Sequence, residues 1–214
     1  MIYSDTRERS RTINVFCFVC GKNTAARYKG DSMKKVYAFI ANGLEEAECL
    51  NVVDLLRRAH FDVTLVSVES ERGVVSSHNV AITADKTFGE CDFSDGDAFF
   101  LPGGMPGTNR LAAHAGLCGL LTSANKAGKR LAAICAAPSV LGRLGLLKGR
   151  KATCFPGFES YLEGAKHVSD GVVTDGNITT ARGLGFAIDL GLELIALLES
   201  RDKSDEIKRA IQYN

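Results

Sequence analysis

The stretch RLAAICAAPSVLG, residues 130–142, carries the reading that decides the fold. Arg130 to Ile134 has the continuous apolar character of a strand buried on both faces of a parallel sheet. Pro138 then opens a helix, since proline is tolerated in a first helical turn, where its missing N–H would be unpaired anyway. The small residues Ala136 and Ala137 between them allow a sharp turn. Strand, turn and helix in direct succession form one unit of a doubly wound α/β sheet. They place Cys135 at the carboxyl end of a strand, the edge where such sheets hold their sites.

The same alternation extends outward from this unit. Val36 to Ala41 predicts a first buried strand, Leu44 to Ala59 a helix, and Asp62 to Val68 a second strand. Val74 to Thr83 reads as a small hairpin excursion. Asp97 to Leu101 is a strand stopped by Pro102-Gly103-Gly104, and a helix follows over about 109–127. The helix opened by Pro138 runs to Leu144. Short strands near Ala152 to Cys154 and Ile178 to Ala181 come next. An apolar helix, Phe186 to Leu198, and a polar C-terminal helix close the chain. These elements make one domain over residues 33–214, with the pattern MKKVYAFIANG at 33–43 as its start. Residues 1–32 are polar apart from Ile13 to Cys20, and read as a leader or a start-site artefact expected to be disordered.

Composition narrows the function classes. A net charge of +1 gives no reason to expect nucleic acid or an anionic membrane as partner. No apolar run reaches the roughly 18 to 20 residues that a membrane span needs. The seven cysteines are an odd number and are scattered, which points to reduced thiols inside a cell and a cytoplasmic location. Cys17 and Cys20 form a C-x-x-C pair, but no second pair completes a zinc site. No metal or cofactor is expected.

Cys135 has two readings, an inert buried residue or a functional thiol, and its setting selects the second. A helix N-terminus can lower a thiol from about 8.5 to about 3.5–7.5. Gly103-Gly104, ending the neighbouring strand, is either an ordinary glycine turn or a place where backbone N–H groups reach a reacting centre. With the Ala136 amide, the Gly104 amide would make an anion-stabilising pocket. Glu48 falls inside the apolar arc of the first helix with Leu44, Val52, Leu55 and Ala59. It is either a rim residue reaching solvent or a buried acid. As a buried, protonated acid it would donate to the Cys135 thiolate; ionised, it would repel it.

Five motifs together resemble the ThiJ/PfpI superfamily, in the branch of the parkinsonism-associated protein deglycase and its bacterial relatives. They are GLEEAE at 43–48, LPGG at 101–104, AAICAAP at 132–138, CFPGFE at 154–159 and ARGLGFAIDLGLELI at 181–195. The resemblance implies a flavodoxin-like single domain and a homodimer. It implies a nucleophilic or oxidisable Cys135, a protonated Glu48, and backbone donors at Gly104 and Ala136. The activities it implies are deglycase or glyoxalase chemistry on methylglyoxal, glyoxal or their glycated adducts, or a redox-sensing, chaperone-like role built on an oxidisable Cys135. Departures from the family pattern matter. Ala136 stands where the protease-like branch has a histidine, so a peptidase is disfavoured. Phe155 replaces a histidine of one branch. His78 stands where the family often has an arginine reaching across the dimer, which makes it a candidate base supplied in trans.

Overall fold

Strand β1 (Lys35–Ile40) shows how the sequence builds both layers at once. Its side chains alternate between two cores: Val36, Ala38 and Ile40 enter one, Tyr37 and Phe39 the other. Strand β6 (Ala98–Leu101) and strand β7 (Arg130–Ile134) divide in the same way, Phe100 and Ile134 to one side, Phe99 and Leu131 to the other. A continuous apolar run therefore marks a strand covered on both faces.

The computed structural model describes residues 33–214; the expectations for residues 1–32, the leader and the Cys17–Cys20 pair among them, lie outside the described residues. After β1 come α1 (Glu46–Arg58), β2 (Asp62–Ser67), β3 (Gly73–Val75), β4 (Ala81–Thr83) and β5 (Lys86–Thr87). Between β6 and β7 lie α2 (Gly107–Ala113) and α3 (Ala115–Lys126). Beyond β7 follow α4 (Pro138–Arg143), β8 (Lys151–Ala152), β9 (Lys166–His167), β10 (Val172–Asp175), β11 (Ile178–Ala181), α5 (Ala187–Leu198) and α6 (Arg201–Ala210).

The main sheet runs β10-β11-β7-β6-β1-β2-β5, and only the β10–β11 pair is antiparallel. Its five central strands keep the flavodoxin-like order, second, first, third, fourth, fifth, so the single flavodoxin-like α/β domain is confirmed. Helices α1 and α5 cover one face, closely enough that a side chain at Gly191 would run into Leu55. Residues of α2, α3 and α4 cover the other. The strand order reverses between β1 and β6, and ligand sites of such sheets lie at the carboxyl ends beside that reversal. No helix among the described residues is long and apolar enough to cross a membrane.

Three expectations need correction. The helix over 109–127 is two helices parted at His114, whose Nδ1 accepts from the Leu117 amide at 3.0 Å and so starts α3. Histidine is outside the usual set of capping residues, so the break leaves little trace in the sequence. The strand near Ala152 is the two-residue β8, paired with β9 outside the main sheet. The alternation of strand and helix also fails at the far edge, where β10 turns back antiparallel on β11.

Candidate functional site

Three segments meet at the carboxyl edge beside the reversal: the first turns of α1, the glycines after β6 and the residue after β7. Cys135 leaves its strand with φ +63°, in the left-handed region that side chains rarely adopt. Such a conformation costs on the order of 1–3 kcal/mol and persists only where its surroundings enforce it. Here the Cys135 amide donates to Ala181 O at 2.9 Å, and Cys135 O accepts from the Phe155 amide at 2.8 Å. The residue is pinned from both sides while its side chain turns off the strand. The sequence signals this only through the small residues Ala136 and Ala137.

Gly103 and Gly104 are close-approach glycines. A Cβ on Gly103 would lie 2.6 Å from both Cys135 Cβ and Glu48 Oε2, so these two side chains converge on the space it leaves open. Gly104, at φ +90°, lies against the Glu45 amide and Leu44, where no side chain fits. The Glu45 amide donates to Gly103 O at 2.9 Å, which locks the start of α1 to this turn.

Glu48 is 1% exposed, so the structure selects the buried acid over the rim residue. Its Oε2 accepts from the Gly103 amide at 3.1 Å. Burial pushes the carboxyl up to about 7, against the opposing pull of Cys135 and the Gly103 amide. Cys135 is partly buried, and its thiol is pushed up to about 12, first by burial and then by the Glu48 charge; the Ala136 and Gly104 amides act the other way. The expected lowering by a helix terminus is therefore not found. Helix α4 has only six residues, and removal from water outweighs what its first amides offer. What the geometry gives instead is a coupled pair. It carries two protons below about 7, one between about 7 and about 12, and none above.

His78 stands apart from this pair within the chain. Its side chain is 65% exposed in the loop joining β3 and β4, and Nδ1 lies 3.2 Å from Glu46 and 3.4 Å from Glu45. The hydrogen bond to Glu46 and the charges of both carboxylates raise its pKa. The ligating atoms of Glu45, Glu46 and His78 lie within 4.8 Å of one another. Phe155, which sequence reasoning treated only as a missing proton carrier, is bonded through its backbone to Cys135 and is 48% exposed beside it.

Residues 34–197 match the DJ-1/PfpI family. Protein DJ-1 homolog B of Arabidopsis thaliana is 37% identical over 178 residues, covering 82% of this chain and 41% of the plant protein. A second Arabidopsis relative, Protein DJ-1 homolog A, is covered to 45%, so the chain spans less than half the length of these plant relatives. Protein dj-1beta of Drosophila melanogaster is 33% identical over 185 residues, 85% of this chain and 99% of the fly protein. Among solved structures, "Toxoplasma gondii DJ-1, oxidized" superposes with a TM-score of 0.81 at 34% identity, over 84% of this chain and 98% of that one.

Proposed function

This chain belongs to the DJ-1/PfpI family, and from that premise we propose that it is a cysteine-dependent stress-response enzyme of the deglycase or glyoxalase type, acting on methylglyoxal, glyoxal or their adducts. The observation that carries the reading is the convergence of the Glu48 carboxyl and the Cys135 thiol on Gly103, at a depth where the two can hold only one negative charge near neutrality.

Burial alone ranks the carboxyl as the first to ionise, but we place the single charge on sulfur, because the hydrogen bonds favour it there. Glu48 Oε2 is already occupied as an acceptor from the Gly103 amide. The other carboxyl oxygen is then free to carry the proton and donate it toward the sulfur, which the Gly104 and Ala136 amides also favour as an anion. The thiolate attacks the aldehyde carbon of methylglyoxal. A C–S bond forms, the carbonyl π pair moves to oxygen, and that oxygen takes the proton from Glu48, giving a hemithioacetal. Gly104 and Ala136 supply the donors for the developing oxyanion. Glu48, now a carboxylate, removes the proton from the attacked carbon and returns it to the neighbouring carbon, while the hemithioacetal hydroxyl proton passes to the neighbouring oxygen, so that the attacked carbon becomes a thioester carbonyl and its neighbour a secondary alcohol. The first carbon is oxidised and the second reduced, so no external oxidant is needed. Water then cleaves the thioester, releasing lactate and restoring the thiol. With a glycated amine as substrate, the thiolate displaces the amine, which leaves with the Glu48 proton, and the same hemithioacetal results.

The reading includes a cytoplasmic, cofactor-free homodimer that needs neither nucleic acid nor membrane. Leu50 on α1 and Val75 and Val80 on the β3–β4 hairpin expose apolar surface that a second copy would cover, and His78 in that hairpin is the candidate base supplied in trans. A second reading is favoured by the oxidised state of the Toxoplasma gondii relative. In it, a peroxide oxidises the Cys135 thiolate to sulfenate and a second peroxide to sulfinate, each step releasing water, and the protein acts as a sensor or chaperone. Lactate formation from methylglyoxal, in wild type and Cys135→Ser, tests the first reading. Cysteine-dependent lactate supports it. No lactate, with two oxygen atoms gained on the Cys135 peptide under dilute peroxide, leaves the second.

A further inference from the structure

The wall of the site formed by the segments after β8 and β11 is apolar and open. Phe155, Pro156, Arg182, Leu184 and Phe186 line a cleft of about 330 Å³, most of its surface apolar. Phe155 and Leu184 are each 48% exposed, large apolar side chains left half uncovered along one cleft. The Phe155 ring lies over Gly183, where an added Cβ would already be 3.3 Å from it, so no side chain intervenes. Both residues are tied to the reacting pair through the backbone. The Phe155 amide donates to Cys135 O at 2.8 Å, and the Leu184 backbone bears on the Glu48 carboxyl. The cleft therefore borders the segments that hold the reacting pair.

Size then decides what the cleft suits. A dry cavity of about 150 Å³ takes a benzene molecule, and this one has roughly twice that room. A methyl group would leave most of the apolar lining in contact with water. Phe155 has no proton to give, so what it contributes is surface.

We infer that the cleft selects molecules whose reacting carbon carries an apolar neighbour, an aryl or branched alkyl group, with Phe155 and Leu184 as the specificity-determining residues. Under the carbonyl chemistry proposed above, on which this part rests, the favoured substrates are aryl or branched 2-oxoaldehydes and their adducts rather than methylglyoxal.

Two measurements separate the cleft from the chemistry. The first requires no turnover: alkylation of Cys135 by iodoacetanilide and by iodoacetamide, which differ by a phenyl ring. The ring should raise the rate about tenfold beyond its effect on a small free thiol, and Phe155→Ala or Leu184→Ala should remove that advantage. The second compares initial-rate kcat/KM for phenylglyoxal and methylglyoxal. The aryl aldehyde should lead by about ten- to a hundredfold in wild type, with that lead lost in Phe155→Ala. An alkylation ratio that is the same in wild type and Phe155→Ala overturns the inference, as it would if a second copy filled the cleft. Ring-selective alkylation with no turnover of either aldehyde upholds the cleft and sinks the carbonyl reading instead.

Discussion

Cys49 and Cys135 have both been drawn out of water, and each thiol is pushed up to about 12, by burial first. Cys49 sits near the start of α1 with no exposed surface. Its second influence is the charge of Glu48, the residue before it, and Arg57 acts weakly in the opposite sense. Among the described residues nothing offers its sulfur a proton or an amide. At Cys135 the same Glu48 is both a charge and a hydrogen-bond partner, and two backbone amides favour the anion. A raised thiol is thus inert in one place and chemically poised in the other. What separates them is whether the neighbouring acid can keep its proton and donate it in a hydrogen bond to the sulfur, so that the charge sits there instead.

The comparison breaks most visibly in activity. Cys135→Ser should lower kcat/KM for lactate formation by about a thousandfold or more, since an alcohol in this setting does not ionise. A variant that retains a tenth of wild-type turnover would mean that another group attacks the aldehyde.

The next effect is on stability. Unfolded, Glu48 loses its proton near 4.5; folded, the buried Glu48–Cys135 pair holds both of its protons to about 7, and the first to leave comes from sulfur in the proposed order. Between those values the folded chain binds the extra proton, so stability falls as pH rises through this window and the loss is complete above about 7. Glu48→Gln cannot ionise and lacks that slope. Measured by denaturant unfolding at pH 8 against pH 4, the Gln variant should gain on wild type by up to about 3 kcal/mol. Parallel stability curves for the two proteins would show that Glu48 ionises freely.

A smaller shift sharpens the assignment of the charge. Thiolate absorbance of wild type should first appear near neutrality and come from Cys135, whereas Cys49 stays silent until the protein unfolds. Glu48→Ala removes the donor and should raise the pH of that first appearance by about one to two units, with Glu48→Gln between. A fall in Ala would place the charge on the carboxylate and reverse the proposed proton order. The smallest effect belongs to Cys49→Ala, which should cost about 1 kcal/mol of stability and leave lactate formation within about twofold of wild type. Lost turnover in a protein that still folds would make Cys49 part of the site.

Much of this arrangement was legible in the chain. The apolar runs at 36–41 and 130–134 gave strands covered on both faces, and the latter has the bounds expected. Glu48 stood out because a carboxylate in an apolar helical arc needs a reason, and the reason is the turn at Gly103. Other features have no local signature. The break at His114 depends on an imidazole nitrogen serving as a cap, and β5, β8 and β9 are two-residue pairings set by tertiary contacts alone. The direction of the Cys135 shift was misread because burial is a property of the assembled edge. The strand–proline signal shows a helix beginning but not that it ends after six residues.

The backbone bond from the Cys135 amide to Ala181 has a consequence for the time at which the thiol acquires its character. The pieces of the site come from residues 48, 103–104 and 135–136, and the strand that holds Cys135 in its turned conformation arrives last. A chain emerging from the ribosome carries Cys135 for some 45 residues before β11 exists, which at about 5–20 residues per second is several seconds. Throughout that interval Cys135 is an ordinary cysteine, flexible and mostly protonated. Under the proton order proposed above, reactivity therefore switches on only after β11 has been made, and a chain stalled before that point is no easier to poison with an aldehyde than any other thiol-bearing peptide.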